Sequence, residues 1–91
     1  MKWCCYINPA AGGGRGAELL RQMEQLSESK QLNAEISRLD RGTALIDMLR
    51  QPTDCDAVLV AGGDGSVSSA ASCLCDSGIP LALLPLGTGN D

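Results

Sequence analysis

Apolar positions along the chain fall into two alternating patterns, short runs and helical stripes. Residues 2–7, Lys2 followed by an apolar run, predict a first strand that stops at Asn8-Pro9, where proline withdraws a backbone donor. Residues 17–29 carry Leu19, Leu20, Met23 and Leu26 at helical spacing, with Glu18, Arg21, Gln22, Glu24 and Gln25 between them. That stripe predicts a helix whose apolar side is core, with Asn33 marking its exit. Residues 34–39 alternate polar and apolar, the pattern of a strand near a sheet edge. Thr43 is a suitable N-cap for a helix to Gln51, with Leu45, Ile46, Met48 and Leu49 inward and Pro52 as its stop. Ala57-Val58-Leu59-Val60-Ala61 has strand length and β-branched residues, so it predicts a buried strand. A small-residue helix follows from Ser66 to about Cys75, with Val67, Ala70, Ala71 and Leu74 on one face and Gly78 closing it. Residues 81–84 give a fourth strand.

Strands alternating with helices predict βαβ units with right-handed crossovers. The expected fold is α/β: a Rossmann-like three-layer domain with a mostly parallel sheet and helices on both faces. The chain stops within a glycine loop, so it is expected to be the amino-terminal part of something longer, incomplete at its carboxyl end.

Ninety-one residues make at most one domain, and 44% hydrophobic residues exclude a disordered chain. Trp3 and Tyr6 are the only aromatics, so the core falls to aliphatic side chains. The net charge of −4 and the lack of a basic stripe argue against a nucleic-acid partner. The five cysteines, Cys4, Cys5, Cys55, Cys73 and Cys75, include no Cys-x-x-Cys pair. Cys4 and Cys5 would point to opposite faces of a strand. A zinc site or a disulfide framework is therefore not expected, and a reducing, cytoplasmic setting is. No signal peptide or bilayer-crossing run is visible, which leaves peripheral contact as the expected relation to a membrane.

Three loops carry the candidate chemistry, each expected after a strand. They are Asn8-Pro9-Ala10-Ala11-Gly12-Gly13-Gly14-Arg15-Gly16, Gly62-Gly63-Asp64-Gly65-Ser66, and Pro85-Leu86-Gly87-Thr88-Gly89-Asn90-Asp91. In a parallel sheet all three would lie along the carboxyl edge, where open α/β sheets bind ligands. Glycines let another molecule approach the backbone closely, and the N–H groups opening a helix favour an anion. One carboxylate among such donors, Asp64, suits a magnesium-bound phosphate or a hydroxyl that must lose a proton. Neither Lys2 nor Lys30 lies in these loops, so a phosphate would rely on N–H groups, hydroxyls, a metal ion and Arg15. A Walker-type loop is absent. Gly12 to Ala17 fits G-x-G-x-x-A, with Asp40 after the next strand, a dinucleotide fingerprint in outline.

These three segments, in order and spacing, resemble the signature segments of the diacylglycerol kinase catalytic domain family, a group of lipid kinases that includes sphingosine kinases. Ser66 stands where most relatives have Thr, and Ser68-Ser69 where many have Asn-Glu. The resemblance implies ATP-dependent transfer of the γ-phosphate to a lipid hydroxyl at a membrane surface, with Mg2+. It implies a nucleotide site lined by Asn8, Pro9, Ala10, Ala11, Gly12, Gly62, Gly63, Asp64, Gly65, Ser66 and Thr88, with Asp64 in the catalytic role. It assigns no metal-ligand set here, and it implies little or no turnover by this length of chain alone. A homodimer is a further expected partner. The alternatives are a kinase of the same superfamily acting on NAD or a sugar phosphate, and a non-catalytic nucleotide- or dinucleotide-binding module.

Overall fold

A computed structural model describes residues 1–39, 55–74 and 78–86, with residues 64, 66, 73 and 74 described by backbone only. Four strands form one sheet: β1 (Trp3–Ile7), β2 (Ala34–Arg38), β3 (Ala57–Gly62) and β4 (Leu81–Pro85). Their order is β2-β1-β3-β4 and every pairing is parallel. In register, Cys5 lies between Ile36 on β2 and Leu59 on β3, and Leu59 faces Ala82 on β4.

The pleat sends alternate residues to opposite faces. On one face α1 (Arg15–Glu28) lays Leu20 over Cys5, Ile7, Leu59 and Ala61, with Leu19 and Met23 packed beside them. On the other, α2 (Asp64–Leu74) lays Ala70 over Cys4, Val58 and Val60. The sheet is thus covered on both faces, and Cys4 and Cys5 diverge as the strand pattern predicts. β3 is buried at all six positions, which matches its unbroken apolar sequence. β2 is an edge strand with Glu35 and Arg38 exposed. The crossover from β1 to β2 and that from β3 to β4 run in opposite directions and use opposite faces, so they share one hand.

Several expectations need correction. The helix α1 begins at Arg15, two residues early, because a 3-10 turn over Ala11–Gly14 runs straight into it. Its exit is at Lys30, not Asn33. Lys30 has φ +64, its N–H donates to Ser27 O at 3.1 Å, and the Gln31 N–H donates to Leu26 O at 3.0 Å. That pair of bonds is the Schellman motif, which ends a helix by satisfying its last carbonyls. Asn33 instead accepts the Trp3 N–H at the start of the sheet. Leu26 is 39% exposed rather than core, since it sits on the last turn beyond the sheet's cover. Cys4 and Cys55 form a disulfide, with Cα atoms 5.7 Å apart, where none was expected. The parallel register brings the segment before β3 alongside β1, a proximity that a separation of 51 residues hides. The helix expected over residues 43–51 lies outside the described residues.

Candidate functional site

The carboxyl ends of all four strands share one rim. The chain leaves β1 toward α1 on one face and leaves β3 toward α2 on the other, so the winding reverses between these neighbouring strands. Such a switch point opens a crevice at the rim of a doubly wound sheet.

The first loop is built from Asn8. Its N–H donates to Ala61 O at 2.9 Å, extending the β1–β3 ladder by one rung. Its Oδ1 accepts the Ala10 N–H at 2.9 Å, and its carbonyl accepts the Ala11 N–H at 3.2 Å. This Asx-turn folds Pro9 and Ala10 back over the strand end. Gly12 and Gly13 then adopt φ of +71 and +61, which L side chains rarely take, and swing the chain into α1. Gly16, in the first turn of α1, packs directly on Asn8. A Cβ there would fall inside contact distance of the Asn8 carbonyl oxygen and 3.1 Å from Ala11 O. Loop and helix are locked together at this point.

The second loop is short. Gly62 is not in it: it ends β3, is buried, and its carbonyl accepts the Leu86 N–H at 2.8 Å. Gly63 is the whole connection. Its carbonyl accepts the Val67 N–H at 3.1 Å, which makes it the N-cap of α2. The helix therefore starts at Asp64 rather than Ser66, and Asp64, Gly65 and Ser66 form its first turn. Backbone N–H groups in a first turn have no partner within the helix and carry its positive dipole end. A Cβ on Gly63 or Gly65 would meet nothing within 4 Å, and neither residue has a positive φ. The third loop enters through Pro85 and Leu86. Thr88 lies outside the described residues, as do the side chains of Asp64 and Ser66.

Among the described residues, few charged side chains lie near the rim. Arg15, exposed at the first residue of α1, is the cation nearest the glycines in sequence. Glu18, in the same first turn, is held ionised by Arg21, whose guanidinium bonds both carboxylate oxygens, with help from Gln22. Its charge is therefore turned toward Arg21 rather than the crevice. Cys5, below the rim, is 1% exposed, and burial pushes its thiol up to about 11. Two open grooves lie at the carboxyl end of α1, one lined by Ser27, Lys30 and Asn33, the other by Gln22, Gln25 and Gln31. Neither includes an expected site residue.

The structure thus gathers Asn8, Pro9, Ala10, Ala11, Gly12, Gly62, Gly63, Asp64, Gly65 and Ser66 at one rim. Two residues at the rim, Gly16 and Leu86, were not assigned a role from sequence. In sequence Gly16 reads as part of the glycine loop before the helix, where nothing sets it apart from Gly12 to Gly14.

An all-parallel sheet wound in both directions, with glycine turns at the switch point, places the chain among the doubly wound α/β domains. Comparison with known proteins narrows this. The family model described as "Diacylglycerol kinase catalytic domain" matches residues 2–91. The chain is 36% identical over 100 residues to diacylglycerol kinase theta of Rattus norvegicus, covering 97% of this chain and 10% of that protein. It is 58% identical over 36 residues to a diacylglycerol kinase of Mycobacterium tuberculosis, covering 40% of this chain and 12% of that protein. A solved structure of a candidate diacylglycerol kinase from Bacillus anthracis str. Sterne superposes with a TM-score of 0.72 at 26% identity, covering 99% of this chain and 34% of the other. The chain belongs to the diacylglycerol kinase catalytic domain family, and it spans between 10% and 34% of the length of these relatives.

The described residues bear differently on the two ligands this family suggests. A triphosphate needs donors and open space, and the first turn of α2 offers both above Gly63 and Gly65. A magnesium ion needs a set of oxygen ligands. Among the described residues no three acidic, cysteine or histidine side chains gather.

Proposed function

We propose that this chain is the nucleotide-binding part of an ATP-dependent lipid kinase. ATP, when bound, supplies a γ-phosphoryl group that a lipid hydroxyl accepts. Phosphoryl transfer asks a protein mainly for positioning and for neutralisation of charge. The N–H groups of Asp64, Gly65 and Ser66 would hold phosphate oxygens against the dipole end of α2, and the first loop would wall the opposite side. The Asp64 carboxylate would take the proton that the lipid hydroxyl releases. Thr88 would add a hydroxyl to the nucleotide. No helix among the described residues is long and apolar enough to cross a membrane, so the lipid would be met at a membrane surface. The chain alone is expected to bind ATP and to phosphorylate little or no lipid.

One observation carries this proposal. Among the described residues nothing requires glycine at position 65: its φ is not positive and no described atom lies within 4 Å of the place its Cβ would take. An alanine would fit and would favour the helix by up to about 1 kcal/mol. Glycine there leaves the backbone accessible to an incoming molecule. Gly65→Ala should therefore raise the melting temperature and weaken ATP binding, measured by calorimetric titration at millimolar ATP. Unchanged ATP affinity in the variant, or heat from NAD in preference to ATP with the unmodified chain, would overturn the assignment. In a full-length protein carrying this domain, Asp64→Asn should abolish turnover without unfolding it.

A further inference from the structure

The rim segments meet at one residue. Leu86 follows β4 directly, and its N–H donates to the carbonyl of Gly62 at the end of β3. Its side chain packs beneath α1 against the buried cluster of Cys5, Ile7, Leu20, Leu59 and Ala61. Its carbonyl oxygen lies closer than real Cβ contacts allow to the place where a Cβ on Gly12 would stand, and its own Cβ lies 3.2 Å from that point. The amide, side chain and carbonyl of one residue thus engage the second loop's strand, the core and the first loop.

Gly12 and Gly13 separate two reasons for being glycine. Both have a left-handed φ, +71 and +61. Only Gly12 has backbone packed into the space its side chain would need, while a Cβ on Gly13 would meet nothing within 4 Å. Left-handed strain alone accounts for Gly13. At Gly12 a second reason is added to it: a close contact with the end of β4 is built there.

We infer that Leu86 is a positioning residue, seated through Gly12, that makes the first loop and the end of β4 a single body around the bound nucleotide. The nucleotide in this statement rests on the proposed ATP site, whereas the joint rests on the contact alone. The wall of the site that the first loop forms is then set in register with β4 by a backbone contact, and misplacement at either end is transmitted to the other.

The test compares Gly12→Ala with Gly13→Ala in the chain labelled for amide NMR. Both introduce left-handed strain; only Gly12→Ala displaces the Leu86 carbonyl. The Leu86 and Gly62 amide resonances should shift in Gly12→Ala and stay in place in Gly13→Ala. ATP affinity, measured well below either melting temperature, should fall about tenfold in the first and within about twofold in the second. Equal behaviour of the two variants at the Leu86 amide overturns the inference. An unmodified chain that binds no ATP sinks the kinase proposal, while the Leu86 resonance still decides the joint. Should Gly12→Ala not fold, hydrogen exchange on the unmodified chain decides: a joined unit opens the Ala11 and Leu86 amides with the same free energy, and separate opening refutes it.

Discussion

Replacing Gly16 by alanine sets two backbone effects against each other, and the structure says which wins. In an exposed helix interior the change would stabilise by about 1 kcal/mol. Gly16, however, is buried. Its new methyl would press on the Asn8 carbonyl oxygen, closer than real Cβ atoms come, and on Ala11 O at 3.1 Å. Neither neighbour is a flexible side chain that could swing aside. The Asn8 carbonyl is committed to the Ala11 N–H, and its residue is committed to Ala61 and Ala10. Relief requires α1 to lift from the end of β1 or the turn to break. Overpacking of this kind costs about 1–3 kcal/mol, and two backbone partners put it at the upper end. The net expectation is about 2 kcal/mol of destabilisation, or a melting temperature lower by roughly 8–16 °C for a domain of this size. Urea titration followed by the fluorescence of Trp3, the only tryptophan, reads this directly. A Gly16→Ala variant as stable as the parent would mean that α1 does not sit on Asn8. The first-loop geometry would then be wrong.

Three further outcomes follow from single features. Lys30→Gly, at φ +64 in the Schellman turn, should stabilise by about 0.5–1 kcal/mol, seen as a higher urea midpoint with unchanged slope. Cys5 has its folded pKa raised from 9.0 to about 11 by burial, so the neutral thiol favours the folded state below pH 9. That contribution should drain away between pH 9 and pH 11, by at most about 3 kcal/mol, and Cys5→Ala should flatten the decline; an equal decline in both would refute it. The Cys4–Cys55 disulfide closes a loop across 51 residues of sequence, so reduction should lower stability by up to about 4 kcal/mol on a chain-entropy account. Alkylation of Cys4 and Cys55 in denaturant without reductant would show that the bond does not form.

Much of the fold was legible because its signals are local. The apolar runs of β1, β3 and β4 and the stripe of α1 each specify an element from a few neighbouring residues. Their alternation then specifies parallel winding with helices on both faces. What escaped was non-local. Cys4 and Cys55 meet only because β1 and β3 pair in a given register. The start of α2 at Asp64 depends on Gly63 serving as N-cap, where a glycine pair in sequence reads equally well as an open turn.

The candidate site shows the same division within one residue type. In sequence the rim glycines look alike, and all invite the same explanation of close approach by a ligand. In the fold they separate. Gly12 and Gly16 are filled by the chain's own carbonyls from Leu86 and Asn8, Gly13 answers to a left-handed backbone, and Gly63 and Gly65 have neither such a φ nor a described atom within 4 Å of a Cβ. Gly63 has a local role as N-cap, so Gly65 is left as the position whose glycine the described residues do not explain. Functional weight therefore moves from the longer, more glycine-rich first loop to the single turn that opens α2. The first loop becomes the rigid wall and α2 the phosphate-facing element. The opposite assignment requires Gly13→Ala to weaken nucleotide binding more than Gly65→Ala does.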